Sequence, residues 1–284
     1  MKKLIYTIVA ALALVACTPD DGVSNKVRIA VSFEEEQQNP KGQQRISAVD
    51  KIVEDRHVID VNWAKDDVLY YEIVGEDINY DNPFKIISGV GTKNAFFEND
   101  DLSLSDKMFN LHHGTEIPIT QTIEIDNNNQ THIDHTALIY KATNCQIGKS
   151  IQFSPQFALL GIQLYGIDNN FDEKVCIGNS NQISSIDALD VYLCGLKEST
   201  VVDLNKQPIY YFVLPLNYDF LGKCIWLANT KGHPTTDINN GFLPFASNIE
   251  LNPNVAQIIR ISVQKDNELP GDNARYTISK YNQQ

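Results

Sequence analysis

Hydrophobic residues in this chain come in short runs, and turn chemistry cuts the runs apart. Val27–Phe33 (VRIAVSF) alternates apolar with polar, the period of a strand with one buried face. Similar β-type runs follow at His57–Trp63, Val68–Val74, Phe84–Val90, Ile117–Ile125 and Thr136–Ala142. The second half adds Ser150–Phe153, Phe157–Tyr165, Ile183–Leu193, Thr200–Leu204, Ile209–Leu214, Cys224–Asn229, Val255–Gln264 and Tyr276–Lys280. Between them stand Gly75-Glu76-Asp77, Asp81-Asn82-Pro83, Asp126–Asn129, Asp168–Asn170 and Pro270-Gly271-Asp272, residue types that turn a chain. Runs spaced about 8–14 residues apart, with no helical pattern between them, predict an all-β fold of antiparallel sandwiches. The best helical stretch, Leu102–Phe109, is short. Glu34–Gln44 (EEEQQNPKGQQ) is polar and predicts an exposed linker. The 284 residues suit two domains, with the boundary expected at Asn144–Lys149.

The start of the chain has a different pattern. Met1-Lys2-Lys3 is basic, and Leu4–Ala16 is an almost unbroken apolar run. The run is too short to span a bilayer and has the form of a signal-peptide core. It ends Leu14-Val15-Ala16-Cys17, the pattern of a bacterial lipoprotein box. Cleavage is expected between Ala16 and Cys17, with palmitate-type acyl chains on the Cys17 thiol. Thr18 next to Cys17 suits release to the outer membrane. The acidic pair Asp20-Asp21 is either a surface-export signal or a plain solvated tether. The expected organisation is therefore residues 1–16 as signal peptide, 17–26 as lipidated tether, and β-sandwiches over 27–147 and 148–284.

Composition narrows the function classes. Lys and Arg total 23 against 36 Asp and Glu, a net charge of −13 that argues against nucleic acid as a partner, since phosphate contacts need a basic stripe. Asn occurs 27 times, which fits a chain that turns often. Beyond Cys17 there are four cysteines, Cys145, Cys176, Cys194 and Cys224. An exported compartment permits disulfides, and all three pairings stay open. Cys194 and Cys224 sit in apolar strand-like runs, where buried free thiols are also common.

Candidate chemistry is sparse. His112-His113 and His132-x-x-His135, with Asp134 between the latter, resemble metal ligands in type. Their spacing in strand-like regions sends the two side chains of each pair to opposite faces, so no metal site is expected. The turns Asp126–Asn129 and Asp168–Asp172 offer oxygens but lack the spaced carboxylates of a calcium loop. The carboxylate pairs Asp66-Asp67 and Asp100-Asp101 are adjacent and would diverge in strands. No nucleophile elbow, phosphate loop, dinucleotide fingerprint or zinc-protease motif occurs, so neither catalysis nor a cofactor is expected. Trp63 and Trp226 are flanked by apolar residues and are expected in the core. Tyr70, Tyr71, Tyr80 and Tyr218 are candidate exposed platforms, and with them comes the alternative of a surface glycan-binding lipoprotein.

Several segments together resemble the fimbrillin family, the pilin and adhesin lipoproteins of Gram-negative anaerobes. Asn62–Tyr70 (NWAKDDVLY) is similar to the family's Trp-x-x-Gly-Asp stretch, with Asp66 in place of Gly. Gln44-Arg45-Ile46 lies where the family often has an Arg. Ala137–Ala142 (ALIYKA), Ile151–Leu160 (IQFSPQFALL, with Gln156 near a usual His) and Tyr211–Pro215 (YFVLP) are similar to three further segments. The resemblance spans most of residues 27–264. It implies two tandem transthyretin-like β-sandwiches without catalysis. It also implies partners, either other pilin subunits or a host or bacterial surface ligand. In polymerising members an Arg-specific protease removes the first strand, and a strand of the next subunit fills the groove by β-augmentation. Carried onto this chain, Arg45 is the first candidate cleavage site and Arg28 the second. Val27, Ile29, Val31 and Phe33 line the candidate plug strand. Tyr276 and Ile278 belong to the candidate donor strand, for which a plain edge strand is the other reading.

Overall fold

The computed structural model describes residues 26–33, 48–53, 56–126, 131–167, 171–183, 185, 187–193, 208–229, 231–236, 242–253, 255–266 and 275–281. Among these residues there is no α-helix, and nineteen strands carry the fold. They form two hydrogen-bonded bodies.

The first is a closed barrel. It is built from β1 (Val27–Phe33), β4 (Val68–Ile73), β5 (Ile78–Ser88), β6 (Asn94–Asn99), β7 (Phe109–His113), β10 (Tyr140–Cys145) and β11 (Ser150–Pro155). Around the ring the order is β1-β11-β10-β7-β4-β5-β6. Alternation explains the closure. In β1 and β7 every second residue is buried, so one face of each strand points inward. The interior is aromatic: Trp63, Phe84, Phe97, Phe109 and Phe153 are all fully buried. Gly89 makes the return from β5 to β6 with a positive φ of 91°, and a Cβ there would overlap the carbonyl of Asn94.

The second body is a twelve-stranded sheet. It contains β2 (Ala48–Val53), β3 (Arg56–Asp60), β8 (Thr120–Ile125), β9 (Thr131–Ile133), β12 (Phe157–Tyr165), β13 (Lys174–Asn179), β14 (Leu189–Leu193), β15 (Ile209–Pro215), β16 (Lys223–Ala228), β17 (Leu243–Pro244), β18 (Val255–Lys265) and β19 (Tyr276–Lys280). Its order is β15-β12-β18-β3-β2-β9-β8-β14-β13-β16-β17, with β19 added to β18. The strands buried on both faces are continuous apolar runs. FALLGI in β12 and IYYFVL in β15 are examples.

Three features differ from the sequence expectation. The pairing is mixed, because β1 runs parallel to β11, β12 to β18 and β14 to β8. Hydrogen bonding also does not change hands between residues 147 and 148. Residues 146–149 form the tight turn between β10 and β11, which are barrel neighbours, while β2, β3, β8 and β9 pair in the large sheet. The third is the helical stretch. Leu102–Leu104 is a single 3-10 turn capped by Asp101, and Phe109 opens β7.

Candidate functional site

The resemblance directs attention to β1 and β19, and both are strands already docked within the chain. β1 is bracketed on each side. Val27–Ser32 pair antiparallel with β6, and Ala30–Phe33 pair parallel with β11. Val27, Ile29, Val31 and Phe33 are 2–6% exposed and face the barrel interior. Phe33 is the anchor. Its ring stacks on Trp63 at 4.1 Å and meets Tyr140 at 4.6 Å. Trp63 in turn donates from Nε1 to the carbonyl of Lys93 at 3.1 Å, so the stack is held by a hydrogen bond to the β5–β6 return. At roughly 1.5–3 kcal/mol per buried side chain, the four inward residues of β1 make a gross contribution comparable to the net stability of a whole domain, about 5–15 kcal/mol. The outer face is held weakly. Lys26 lies 2.8 Å from Glu98, and Arg28 3.6 Å from the same carboxylate, with Arg28 62% exposed.

Removing β1 would leave β6 and β11 as facing edges. The strand's place in the chain matters as much as its burial. The other barrel strands lie within residues 68–155, whereas β1 joins them only through residues 34–47 and a hairpin that belongs to the other sheet. A cut in 34–47 would therefore sever the covalent link between β1 and the strands that follow it. Arg45, Ala16 and Cys17 lie outside the described residues. Arg28 lies inside β1, with its peptide in register against Glu98.

At the other terminus, β19 pairs along Ile261–Lys265 of β18, and Tyr276 and Ile278 are 6% and 4% exposed. The Tyr276 amide donates to the Thr235 carbonyl at 2.8 Å, and its ring meets Phe171 edge-on at 5.5 Å. Beneath this contact the buried Glu173 carboxylate accepts from the Thr235 hydroxyl at 2.9 Å. Burial pushes the Glu173 carboxyl up from its ordinary value, with the Asp172 charge adding and the Thr235 hydrogen bond opposing.

The histidines separate as strand alternation requires. His112 faces outward, 3.1 Å from Glu72, while its neighbour His113 is buried between Asp67 at 3.4 Å and the Leu138 carbonyl at 3.3 Å. His132 approaches Asp126 at 3.3 Å, and His135 is exposed in a 3-10 turn. Among the described residues no three His, Cys, Asp or Glu side chains converge as metal ligands. Residues 127–130 and 168–170 of the acidic turns lie outside the described set.

Asp66 occupies an exposed turn without a left-handed backbone, so the position does not require Gly. The next residue, Asp67, caps the Ala64 amide at 2.6 Å. Gln156 lies at the passage from β11 to β12 and bonds backbone carbonyls. Trp63 and Trp226 are both buried. Tyr71 is not a surface platform. It is 2% exposed, and its hydroxyl donates to Asp101 at 2.9 Å. Tyr218 is half-buried against Phe220 with Lys223 over its ring. Tyr80 is exposed, and its ring meets that of Tyr70 at 5.0 Å.

Cys145, Cys176 and Cys224 are buried free thiols, and Cys194 lies outside the described residues. Cys176 and Cys224 share one face of the β13–β16 ladder, in register with Trp226 and Gly178 respectively. The Trp226 ring covers Gly178, so it crosses the diagonal that would join the two sulfurs. Burial pushes the Cys224 thiol up to about 11.

Two polar constellations carry no motif in the sequence. Gln121 on β8 is 1% exposed, and its carboxamide takes both backbone groups of Val213 on β15, each at 2.8 Å. On β2, β3 and β15, Asp50, His57 and Tyr211 converge. His57 Nδ1 lies 2.9 and 3.0 Å from the two Asp50 oxygens and 3.2 Å from the Tyr211 hydroxyl. Burial, with the Asp50 charge behind it, raises the Tyr211 phenol far above its ordinary value. Each constellation ties β15 to a strand that is not its ladder neighbour, through Gln121 of β8 or through His57 of β3, which only a folded backbone can reveal.

No family model matches the chain, and no curated protein is similar to it in sequence. Solved structures align with it loosely. A candidate cell adhesion protein from Bacteroides ovatus is 10% identical, with 90% of this chain and 95% of that one covered at a TM-score of 0.42. A candidate cell adhesion protein from Bacteroides uniformis is 9% identical, covering 92% and 98% at 0.38. A fimbrial protein from Bacteroides ovatus is 12% identical, covering 84% of this chain and 51% of that one at 0.35. Likeness at this level fixes neither the fold type nor the role of the chain.

Proposed function

We propose that this chain is a structural or adhesive subunit of a bacterial surface appendage. In this reading it is lipid-anchored to the outer membrane through Cys17 and catalyses no reaction. The observation that carries the reading is the topology of β1. It is the strand that closes the barrel, it is buried on one face, and a single cut in residues 34–47 would leave it held by non-covalent contacts alone. The groove left behind would present two strand edges and a row of apolar pockets, the chemistry of β-augmentation. A strand such as Tyr276–Lys280 of another subunit, alternating as YTISK, matches that chemistry once freed from β18. The motif resemblance and the lipoprotein box support the same reading.

The test is brief digestion of the mature protein with an Arg-specific protease. The reading expects a new N-terminus at Ile46 and heat-stable ladders on a gel. An Arg45→Ala variant should give neither. Ladders without loss of residues 27–33, or a trimmed chain that stays monomeric at high concentration, would contradict strand exchange.

A further inference from the structure

The outer face of the barrel carries a second feature, independent of the seam. Alternation puts Tyr70 and Glu72 of β4, Asn110 and His112 of β7, Lys141 of β10 and Tyr80 of β5 on the outside of four adjacent strands. Register sets them side by side: Tyr70 opposite His112, Glu72 opposite Asn110, and Lys141 opposite His112 on the other flank. Tyr80 is 52% exposed and props against Tyr70 with the rings tilted by 61°. The result is an aromatic step beside a strip of planar hydrogen-bonding groups. With strands about 4.8 Å apart, four strands span roughly 14 Å, the length of a short oligosaccharide.

The polar strip is ordered before any ligand arrives. His112 Nε2 at 3.1 Å and Asn110 Nδ2 at 3.4 Å both sit on Glu72 Oε2, which leaves Oε1 for a ligand hydroxyl. The Asn110 side-chain Oδ1 in turn accepts from the Asn144 backbone N–H at 3.1 Å, and Asn144 holds a left-handed φ of 55° at the β10 bulge. These hydrogen bonds hold the Glu72 carboxyl below its ordinary range, Asn110 contributing first. Burial lowers His112, which favours the neutral imidazole. Glu72 and Lys141 put one charge of each sign on this strip, on a protein of net charge −13.

We propose that this face, from Tyr80 and Tyr70 across Glu72 to Lys141, is a binding site for a neutral saccharide. The tyrosine faces would pack the C–H face of a pyranose. Glu72 Oε1 would accept from a ring hydroxyl, and Lys141 would donate to one. A two-ring platform is too small for a stable protein interface, which needs about 800 Å² per partner. A single carboxylate is also too few ligands for a divalent cation.

The experiment uses the full mature protein on an array of neutral gluco-, manno-, galacto- and N-acetylhexosamine oligosaccharides. A retained oligosaccharide is then titrated in solution while backbone amide shifts are followed. The proposal expects retention of at least one series and shifts confined to residues around Tyr70, Tyr80 and His112. Tyr80→Ala should weaken binding about tenfold, and Tyr80→Phe by less than about twofold. Glu72→Gln should weaken binding while leaving the thermal midpoint within a few degrees. No retention of any member, retention only of sulfated or sialylated controls, or equal binding by Tyr80→Ala would each overturn it. So would shifts elsewhere on the protein. Monomeric behaviour after proteolysis would not bear on it, so this proposal and strand exchange fail separately.

Discussion

The two bodies of this molecule close in different ways. The barrel closes backbone to backbone: seven strands follow one another around the ring until β1 joins β11 to β6. The large sheet does not close a ladder among the described residues. Its strands β15-β12-β18-β3-β2-β9-β8 return to their start through one side chain, the Gln121 carboxamide standing in for a strand against Val213. Inside that arc Asp50, His57 and Tyr211 add a polar tie from β2 and β3 to β15. The barrel is sealed by the first described strand, and the sheet by a buried internal side chain. On the proposed reading the first seam can be exchanged with another copy, whereas a seam made of an internal Gln can only be broken.

Four measurements would break or sharpen this contrast. Phe33→Ala removes the ring stacked on Trp63 from the barrel seam and should cost about 3–5 kcal/mol in urea unfolding, with protection lost first in β6 and β11. Gln121→Leu leaves the buried N–H and C=O of Val213 without partners. It should cost roughly 2–4 kcal/mol and deprotect β15 while the barrel amides hold. If both variants lose protection across the whole molecule, the two seams are not separate.

The third measurement is pH dependence, where the two bodies should respond with opposite sign. In the sheet, burial raises the Glu173 carboxyl, so its contribution is complete below the ordinary glutamate value of 4.5 and is lost as pH rises through the raised value. In the barrel, hydrogen bonds from Ser103 first, with Tyr71 assisting, lower Asp101. Its contribution is present above the ordinary 3.8 and is lost as pH falls toward the lowered value. Hydrogen exchange, corrected for intrinsic rate, should show β19 better protected at pH 4.5 than at pH 7. The turn around Asp101 should loosen only below about pH 3.8. The same direction of change at both places would remove the contrast. Smallest of all, Lys26→Ala and Arg28→Ala should each leave the urea midpoint unchanged within error, because their ion pairs with Glu98 are solvent-screened.

How much of this was legible in the sequence follows from what period-2 alternation can and cannot carry. β1, β8, β12 and β19 fall on Val27–Phe33, Thr120–Ile125, Phe157–Tyr165 and Tyr276–Lys280, where alternation or a bounded apolar run leaves little choice. Both tryptophans are in the core, as their apolar neighbours implied. β6 and β7 carry no such signal, because NAFFEN has two adjacent aromatics and FNLHH ends in two histidines, which hides the alternation. The run Thr136–Ala142 straddles a 3-10 turn and the start of β10, where Asp134 caps the turn and Leu138 returns to extended backbone. Which strands pair across long sequence distances was not legible at all. Local pattern says that a strand has a buried face, not which neighbour it meets. Hence the interleaving of β2, β3, β8 and β9 into the second sheet, and the Gln121 tie, were out of reach. β1 is legible as a strand because its signal is local; its candidacy as a plug comes from the resemblance, and its place in the ring from the folded backbone.

The most direct test of β1 as an exchangeable seal is competition. The mature protein, trimmed with an Arg-specific protease, would be incubated with excess synthetic peptide of residues 26–33 and run against an untreated sample. If β1 fills the groove through which subunits join, the peptide binds one per subunit and suppresses ladder formation in proportion to occupancy, whereas a Phe33→Ala peptide does not. Ladders that form equally with and without the peptide would place the joint elsewhere and contradict the account.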